Sequence, residues 1–569
     1  MTQQLLKTVI FVLLLLFVFM FFQAKGVAAG DRVPVELAQK AALLSANDIF
    51  GPVSCVDHAI YYNLADEPAV YVFTFSRKPG PLPGIDTIKS KVNAARTKRL
   101  ALEKDIDTLS LPEKTAKIME IQNYWQEMRQ EENFVTVTAS ATYTQVPVIE
   151  IYAGLPPHVV ALEDAKALAT TVLDKTSLHL AKLRYPASLR FEFEFSDSSG
   201  KCVLVSPLDF KIRDISLSKQ EITDETGIDA AQARVIAKEW ETMKNKILEA
   251  KPDSQMYSAN DPGNRRTHAA NLTGTPVRGE GPRHDPQVFR GYLPQVPDYQ
   301  KIDYEGQGDC APTAAACVLG YWSTHGYPNL LDSGNVPGLV REIEDNSDFD
   351  FVNGGASLES ITESFEIFAN DPDVNNNYGF AADYNRAATF FDYENEILTG
   401  RPVIHNGSLM PYGKHSLAGV GFVETLRAQW CIDHDNWAST PANVYIEWNA
   451  LRRSSLITVV PGNANNKILA GYARTSGGSG IPGVQITFMH YDYQGSTWVS
   501  DGAAISDQNG YYSFSAYYCW NGRAEPLKSS FTFSPAFISY DDITSEQVDR
   551  NYTGAPIGSA KALRGLRGE

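Results

Sequence analysis

Gln307-Gly308-Asp309-Cys310-Ala311-Pro312-Thr313-Ala314-Ala315-Ala316-Cys317 is the most informative segment of the chain. From Cys310 the chain runs through small and apolar residues to Trp322, with Pro312 near the start, where a missing N–H costs a helix nothing. That pattern predicts a helix opening at the cysteine. A thiol there meets the positive end of the macrodipole and unpaired backbone N–H groups, both of which favour thiolate. About a hundred residues on come Lys414-His415-Ser416-Leu417-Ala418-Gly419-Val420-Gly421 and then Asp433-His434-Asp435-Asn436-Trp437. A thiol needs a base, and the base needs a third polar group to hold its imidazole; the chain supplies Cys, His and Asp in that order.

His415 opens a β-like run whose glycines permit close backbone approach, so it is preferred as the base over His405, His325 and His434. In Trp430-Cys431-Ile432-Asp433-His434-Asp435, strand alternation puts Asp433 and Asp435 on one face and His434 on the other. Two aspartates therefore compete for the third role, with Asn436 a further option. Cys317 falls two turns beyond Cys310 on the expected helix, out of bridging distance, and reads as a packing residue.

Tyr292 to Val459 resembles the bacterial papain-like peptidases of the bacteriocin-leader-processing, C39-like type. The resemblance rests on Cys-x-Pro-Thr-Ala-Ala with Gly320-Tyr321-Trp322, on His415-Ser-x-Ala-Gly-Val-Gly and on His434-Asp435-x-Trp437. It implies Cys310 as nucleophile, His415 as general base and then acid, and a Gln ahead of the cysteine donating into an oxyanion hole. It also places the orienting residue just before a Trp, which favours Asp435 over Asp433. Gln307 lies three residues before Cys310, whereas this class places its Gln about six ahead. Gln307 is preferred to Gln300. Ala311 stands where Gly is commoner. No metal or cofactor is called for.

A chain of 569 residues exceeds one core and predicts three or four folding units. Residues 1–29 read as a signal peptide: Lys7, the apolar run Val9 to Phe22, then Val27-Ala28-Ala29. That run is short of a bilayer span, so the mature chain is expected to be soluble, secreted or at the cell surface or periplasm, an uncleaved anchor being the alternative. A net charge of −17 argues against a nucleic-acid partner. Six cysteines cannot staple a chain of this size, though export permits Cys55 and Cys202 to pair.

Residues 30–160 read as an α+β unit with strands Val70 to Phe75 and Phe134 to Ala141 flanking a helical insert, Ile85 to Gln130. Residues 161–250 repeat the plan: helix Leu162 to Lys175, a hairpin from Leu189 to Phe210 turning at Asp197-Ser198-Ser199-Gly200, and helix Asp229 to Ala250. Pieces such as Pro147-Val148-Ile149-Glu150-Ile151-Tyr152 resemble inhibitory pro-segments of secreted cysteine and metallo-peptidases. Residues 251–288, with Arg265-Arg266, read as an exposed linker; 289–462 carry the site; 466–555 alternate as short strands, and 556–569 as a tail. The 466–555 pieces resemble the carboxypeptidase-regulatory-like, transthyretin-like β-sandwich of secreted bacterial proteins, which implies adhesion or spacing. Asp371-Pro372-Asp373 opens like a calcium loop but lacks its sixth-position Gly and its terminal Glu, and reads as solvated.

The expected fold is thus multidomain α+β: a papain-like cysteine peptidase core, an N-terminal α+β pro-like region and a C-terminal all-β sandwich. The expected activity is hydrolysis of a peptide or protein substrate through Cys310, His415 and Asp435, restrained by the N-terminal region. The alternatives are a transglutaminase-like acyl transferase with the same triad, and a non-catalytic surface-binding protein on that scaffold.

Overall fold

The computed structural model describes residues 32–557 except 79–84, 105, 107–108, 188–189, 209–210, 214–229, 250–287, 301–309, 332–334, 350–355, 371–377, 409–413, 426, 452–453, 463–465, 493–496, 517–519 and 544. The expected signal peptide, linker, Asp371 loop and most of the tail therefore lie outside the described residues, as does Gln307. Among the described residues no helix is long and apolar enough to cross a membrane.

The N-terminal region runs α1 (Val35–Phe50), β1 (Ser54–Tyr62), β2 (Pro68–Ser76), α2 (Ile85–Glu103), α3 (Leu111–Arg129), β3 (Phe134–Ser140), β4 (Val148–Ala153), α4 (Pro157–Val160), α5 (Leu162–Ala169), β5 (His179–Ala187), β6 (Arg190–Ser196), β7 (Cys202–Val205), β8 (Ile212–Arg213) and α6 (Ala230–Glu249). The helical insert is the pair α2 and α3. A capping box starts α3, with the Ser110 N–H donating to the Glu113 carboxylate at 3.1 Å and Pro112 in its first turn. Helical spacing brings Ile88, Val92 and Ala95 of α2 against Ile121, Trp125 and Met128 of α3 in a small core of their own. Helix α5 stops six residues short of Lys175. The hydroxyls of Thr170 and Thr171 bond back to the Ala167 and Leu168 carbonyls, and these β-branched residues turn the chain instead of extending the helix.

The central region runs β9 (Val288–Tyr292), α7 (Cys310–Thr324), α8 (Val336–Asp345), α9 (Leu358–Ala369), β10 (Ala381–Asn385), α10 (Phe390–Leu398), β11 (Val403–Ser408), β12 (Lys414–Thr425), β13 (Gln429–His434), β14 (Val444–Glu447) and β15 (Ser454–Val460). Its strands do not close on themselves. The sheet order is β10-β15-β11-β12-β13-β14-β4-β3-β2-β1-β5-β6-β7-β8, with β9 on β12, so one sheet continues from the central region into the N-terminal one. The junction is antiparallel: Val444 faces Tyr152, Tyr445 faces Ile151 and Ile446 faces Glu150. One buried core extends accordingly from Val33 to Val459.

Beyond it, β16 (Lys467–Thr475), β17 (Gln485–Asp492), β18 (Thr497–Ile505), β19 (Tyr511–Ala516), β20 (Trp520–Leu527), β21 (Phe531–Ser534), β22 (Ile538–Ile543) and β23 (Tyr552–Pro556) form two four-stranded sheets, β19-β16-β23-β21 and β18-β17-β20-β22. They share a separate core that includes Leu469 and Tyr552 of the first sheet and Phe488, Trp520 and Tyr540 of the second.

Cys55 and Cys202, which export would permit to pair, are not joined to each other. Cys55 is on β1 and Cys202 on β7, with β5 and β6 between them. Three strand spacings of roughly 4.8 Å put the pair far beyond the ~7 Å Cα limit for a bridge.

Candidate active site

Cys310 is the first residue of α7, and every residue from Cys310 to Trp322 is buried. Such a helix needs a close apolar bed, and α7 lies on β12 and β11. Gly320 permits the approach: a Cβ there would come within 3 Å of Pro297 and Tyr299. One helical turn pair after Cys310, the Cys317 thiol points to Asn436 Oδ1 at 3.6 Å, so α7 is tied to the turn that follows β13.

His415, 7% exposed, is the second residue of β12 and sits opposite Gly407 of β11. Its ring lies flat on the Trp437 indole, with centroids 4.4 Å apart and planes 9° apart. Its Nε2 is 3.3 Å from the main-chain oxygen of Asp435. A carbonyl only accepts, so this contact places the hydrogen on Nε2.

The turn itself depends on Asn436, whose φ of +64° is in the left-handed region that Asn tolerates better than most residues. Its side-chain amide donates to the Ser416 carbonyl at 3.4 Å, next to His415. The Asp435 carboxylate accepts from the Trp437 N–H at 3.1 Å and the Thr440 hydroxyl at 2.7 Å. Burial pushes this carboxyl well above the usual carboxylate range; the Thr440 hydroxyl opposes the shift, the negative charge of Asp298 adds to it, the Trp437 N–H opposes it and Glu150 adds to it. The expected carboxylate–imidazole contact is therefore replaced by a carbonyl–imidazole contact, because the carboxylate folds the loop that carries Trp437.

Asp433 has a different partner. Its carboxylate meets His405 Nδ1 at 3.1 Å and accepts the Tyr393 hydroxyl at 3.0 Å, all in a fully buried setting. His405 stacks on Trp448, with centroids 5.4 Å and planes 5° apart. The sequence contained both members of this pair, but only the register, with His405 opposite Leu417 and Asp433 opposite Gly419, brings them together. Ligand atoms of His405, Cys431 and Asp433 lie within 4.8 Å of one another and could hold a metal ion, yet His405 and Tyr393 already occupy the Asp433 oxygens. Burial pushes the Cys431 thiol up, with Asp433 and Glu447 adding to the shift.

The other histidines serve the frame. His434 spans the Pro297 carbonyl at 3.3 Å and Asn443 at 3.2 Å. His325 stacks on Tyr321 and bonds to its carbonyl at 2.7 Å. Gln300 is buried, and its amide donates to Asp298 at 3.1 Å.

Residues 294–456 match the Peptidase_C39 like family. That stretch contains Gln300, Gln307, Cys310, His415, Asp433 and Asp435, and ends within β15. It is 163 of the 569 residues, so the N-terminal region and the C-terminal double sheet both lie outside it. This similarity supports a C39-like peptidase region. No curated protein matches the chain.

Proposed function

We propose that the protein is an exported cysteine peptidase with a papain-like centre, in which Cys310 is the nucleophile and His415 the proton carrier. The observation that carries this reading is the seating of α7, which begins at Cys310, on the strand that holds His415, whose imidazole is fixed between Trp437 and the Asp435 carbonyl. With Nε2 turned to that carbonyl, Nδ1 is the atom that exchanges a proton with the thiol. Cys310 Sγ attacks the scissile carbonyl, its proton passing to His415. The tetrahedral intermediate expels the amine, which takes that proton, and leaves an acyl thioester. Water then attacks the thioester with His415 as base, releasing the acid and restoring the thiol. The Cys310 backbone N–H at the start of α7, with Gln307 or Gln300, would receive the oxyanion.

The Asp435 carboxyl acts here through the loop. With the carboxyl bonded to the Trp437 N–H and the Thr440 hydroxyl, stabilisation of imidazolium falls to the Asp435 carbonyl dipole and the Trp437 π face. Restraint by the N-terminal region would have to act without its departure, because β4 is hydrogen-bonded into the same sheet. Acyl transfer to an amine uses the same residues and differs only in the second nucleophile.

The test compares Cys310→Ala with Cys317→Ala on a fluorogenic peptide library, alongside thiol labelling near pH 6. The reading expects turnover and low-pH labelling to vanish in the first variant and persist in the second. Full activity of Cys310→Ala would overturn it.

A further inference from the structure

Both sides of β14 are occupied, by β13 and by β4 of the N-terminal region. More contacts cross the junction around it: Phe50 of α1 meets Tyr445 edge-on at 5.6 Å, Asp48 pairs with Arg427, and Glu239 of α6 accepts from Asn449 at 2.7 Å. The helical pair α2/α3 reaches the site more directly. Ala438, from the loop after β13, is part of its core with Trp125 and Met128. At the end of α3, the buried Arg129 donates through Nη1 to the Ala438 carbonyl and through Nε to Glu131 at 2.7 Å. Its own carbonyl is held by the Leu155 N–H at 2.7 Å, which fixes the helix end beside the exit of β4.

Ala438 lies between Trp437, which covers His415, and Thr440, which holds the Asp435 carboxylate. We infer that the N-terminal region is a permanent part of the catalytic unit and that Arg129 is a positioning residue for the loop 435–440. The inference rests on the peptidase reading for its kinetic consequence, but not for the ordering of the loop. Arg129 touches none of the reacting groups. It anchors the middle of a loop whose two ends set the plane and the partner of the base, and an error of about 1 Å in such a group can cost on the order of a hundredfold in rate.

The experiment uses the full chain with Arg129→Met, which keeps the apolar stem inside the α2/α3 core and removes the donors, and with Arg129→Lys, which restores a charged donor. Amide hydrogen exchange at Trp437 to Thr440 should speed up about tenfold or more in Arg129→Met and partly recover in Arg129→Lys, while exchange in β16 to β23 stays as in the wild type. On a fluorogenic peptide, kcat should fall roughly ten- to hundredfold with KM changed less than about threefold, and the pH profile of kcat should shift as His415 loses its fixed partner. Unchanged loop exchange in folded Arg129→Met would overturn the inference. If the wild type proves inert as a peptidase, the peptidase reading fails while the exchange result still decides the role of Arg129.

Discussion

Two regions flank the candidate site, and they join it in different ways. The C-terminal double sheet has its own strand pairing and its own core; among its described residues the buried polar groups are Ser506 and Asn521, with no carboxylate. Its Trp498 packs against the main core. The N-terminal region instead continues the same sheet, shares the same core and buries Glu150 at the junction. Strand addition is what separates the two: a paired edge shares backbone hydrogen bonds, and leaving it exposes donors, acceptors and apolar side chains together. The N-terminal region is thereby part of the frame that holds the candidate site.

The largest effect expected from this contrast is that of removing the N-terminal region. A chain starting near Phe289 leaves β14 as an edge and uncovers Tyr445 and Ile446, so it should aggregate or lack a cooperative melt, as circular dichroism and size-exclusion chromatography will show. A soluble, cooperatively folded fragment would show that the central region does not need the β4 pairing.

Next comes Asp433→Ala, which leaves His405 Nδ1 buried without its acceptor, while the Tyr393 hydroxyl keeps the Ile432 carbonyl at 2.9 Å. It should cost about 3–5 kcal/mol in denaturant unfolding. Asp435→Ala, by contrast, should lower kcat more than stability. The reverse ranking would assign the catalytic role to the His405 pair.

The pH dependence should differ between the two halves. Burial raises the Glu150 carboxyl from the usual 4.5 to about 7, with the Thr138 hydroxyl opposing. The folded state therefore holds a proton that the unfolded state releases, and stability contributed below pH 4.5 is lost as pH rises to about 7. At about 1.4 kcal/mol per pH unit the loss is at most roughly 3 kcal/mol. Glu239, also raised to about 7 chiefly by burial, should act in the same direction. In calorimetry at pH 5 and pH 8, the transition of the large sheet should fall while that of the double sheet moves little, and Glu150→Gln should flatten the difference. Equal shifts of both transitions would contradict this.

A smaller change is expected for Thr440→Val. It removes one donor to Asp435 and should cost about 1 kcal/mol in unfolding with a several-fold loss of kcat. Smallest of all, ending the chain after residue 465 should leave kcat/KM within about twofold and the main unfolding free energy within about 0.5 kcal/mol. A large loss would mean that the Trp498 contact organises the site.

The legible parts of the molecule are those with local signals. Pro312 after Cys310, the alternation through β13, and the Lys, Arg and Leu spacing of α2 and α3 place these elements within a few residues of where they lie. Illegible were the features that depend on which strand meets which. Asp433 and Asp435 look equivalent in the sequence; the register commits Asp433 to His405, and the left-handed Asn436 turns the carbonyl of Asp435, not its carboxylate, to His415. The segment Pro147 to Tyr152 suggested a pro-segment, and it is this segment that supplies β4. Its partner is some three hundred residues away, a separation that no local pattern encodes.

The most direct test of the account is to place a site-specific protease sequence between residues 251 and 287, cut the folded protein there, and follow both fragments by native size-exclusion chromatography with a peptidase assay. The two fragments should co-elute, and kcat/KM should stay within about twofold of the uncut protein. Departure of the N-terminal fragment with a rise in activity would contradict it, and would make that region a removable inhibitor.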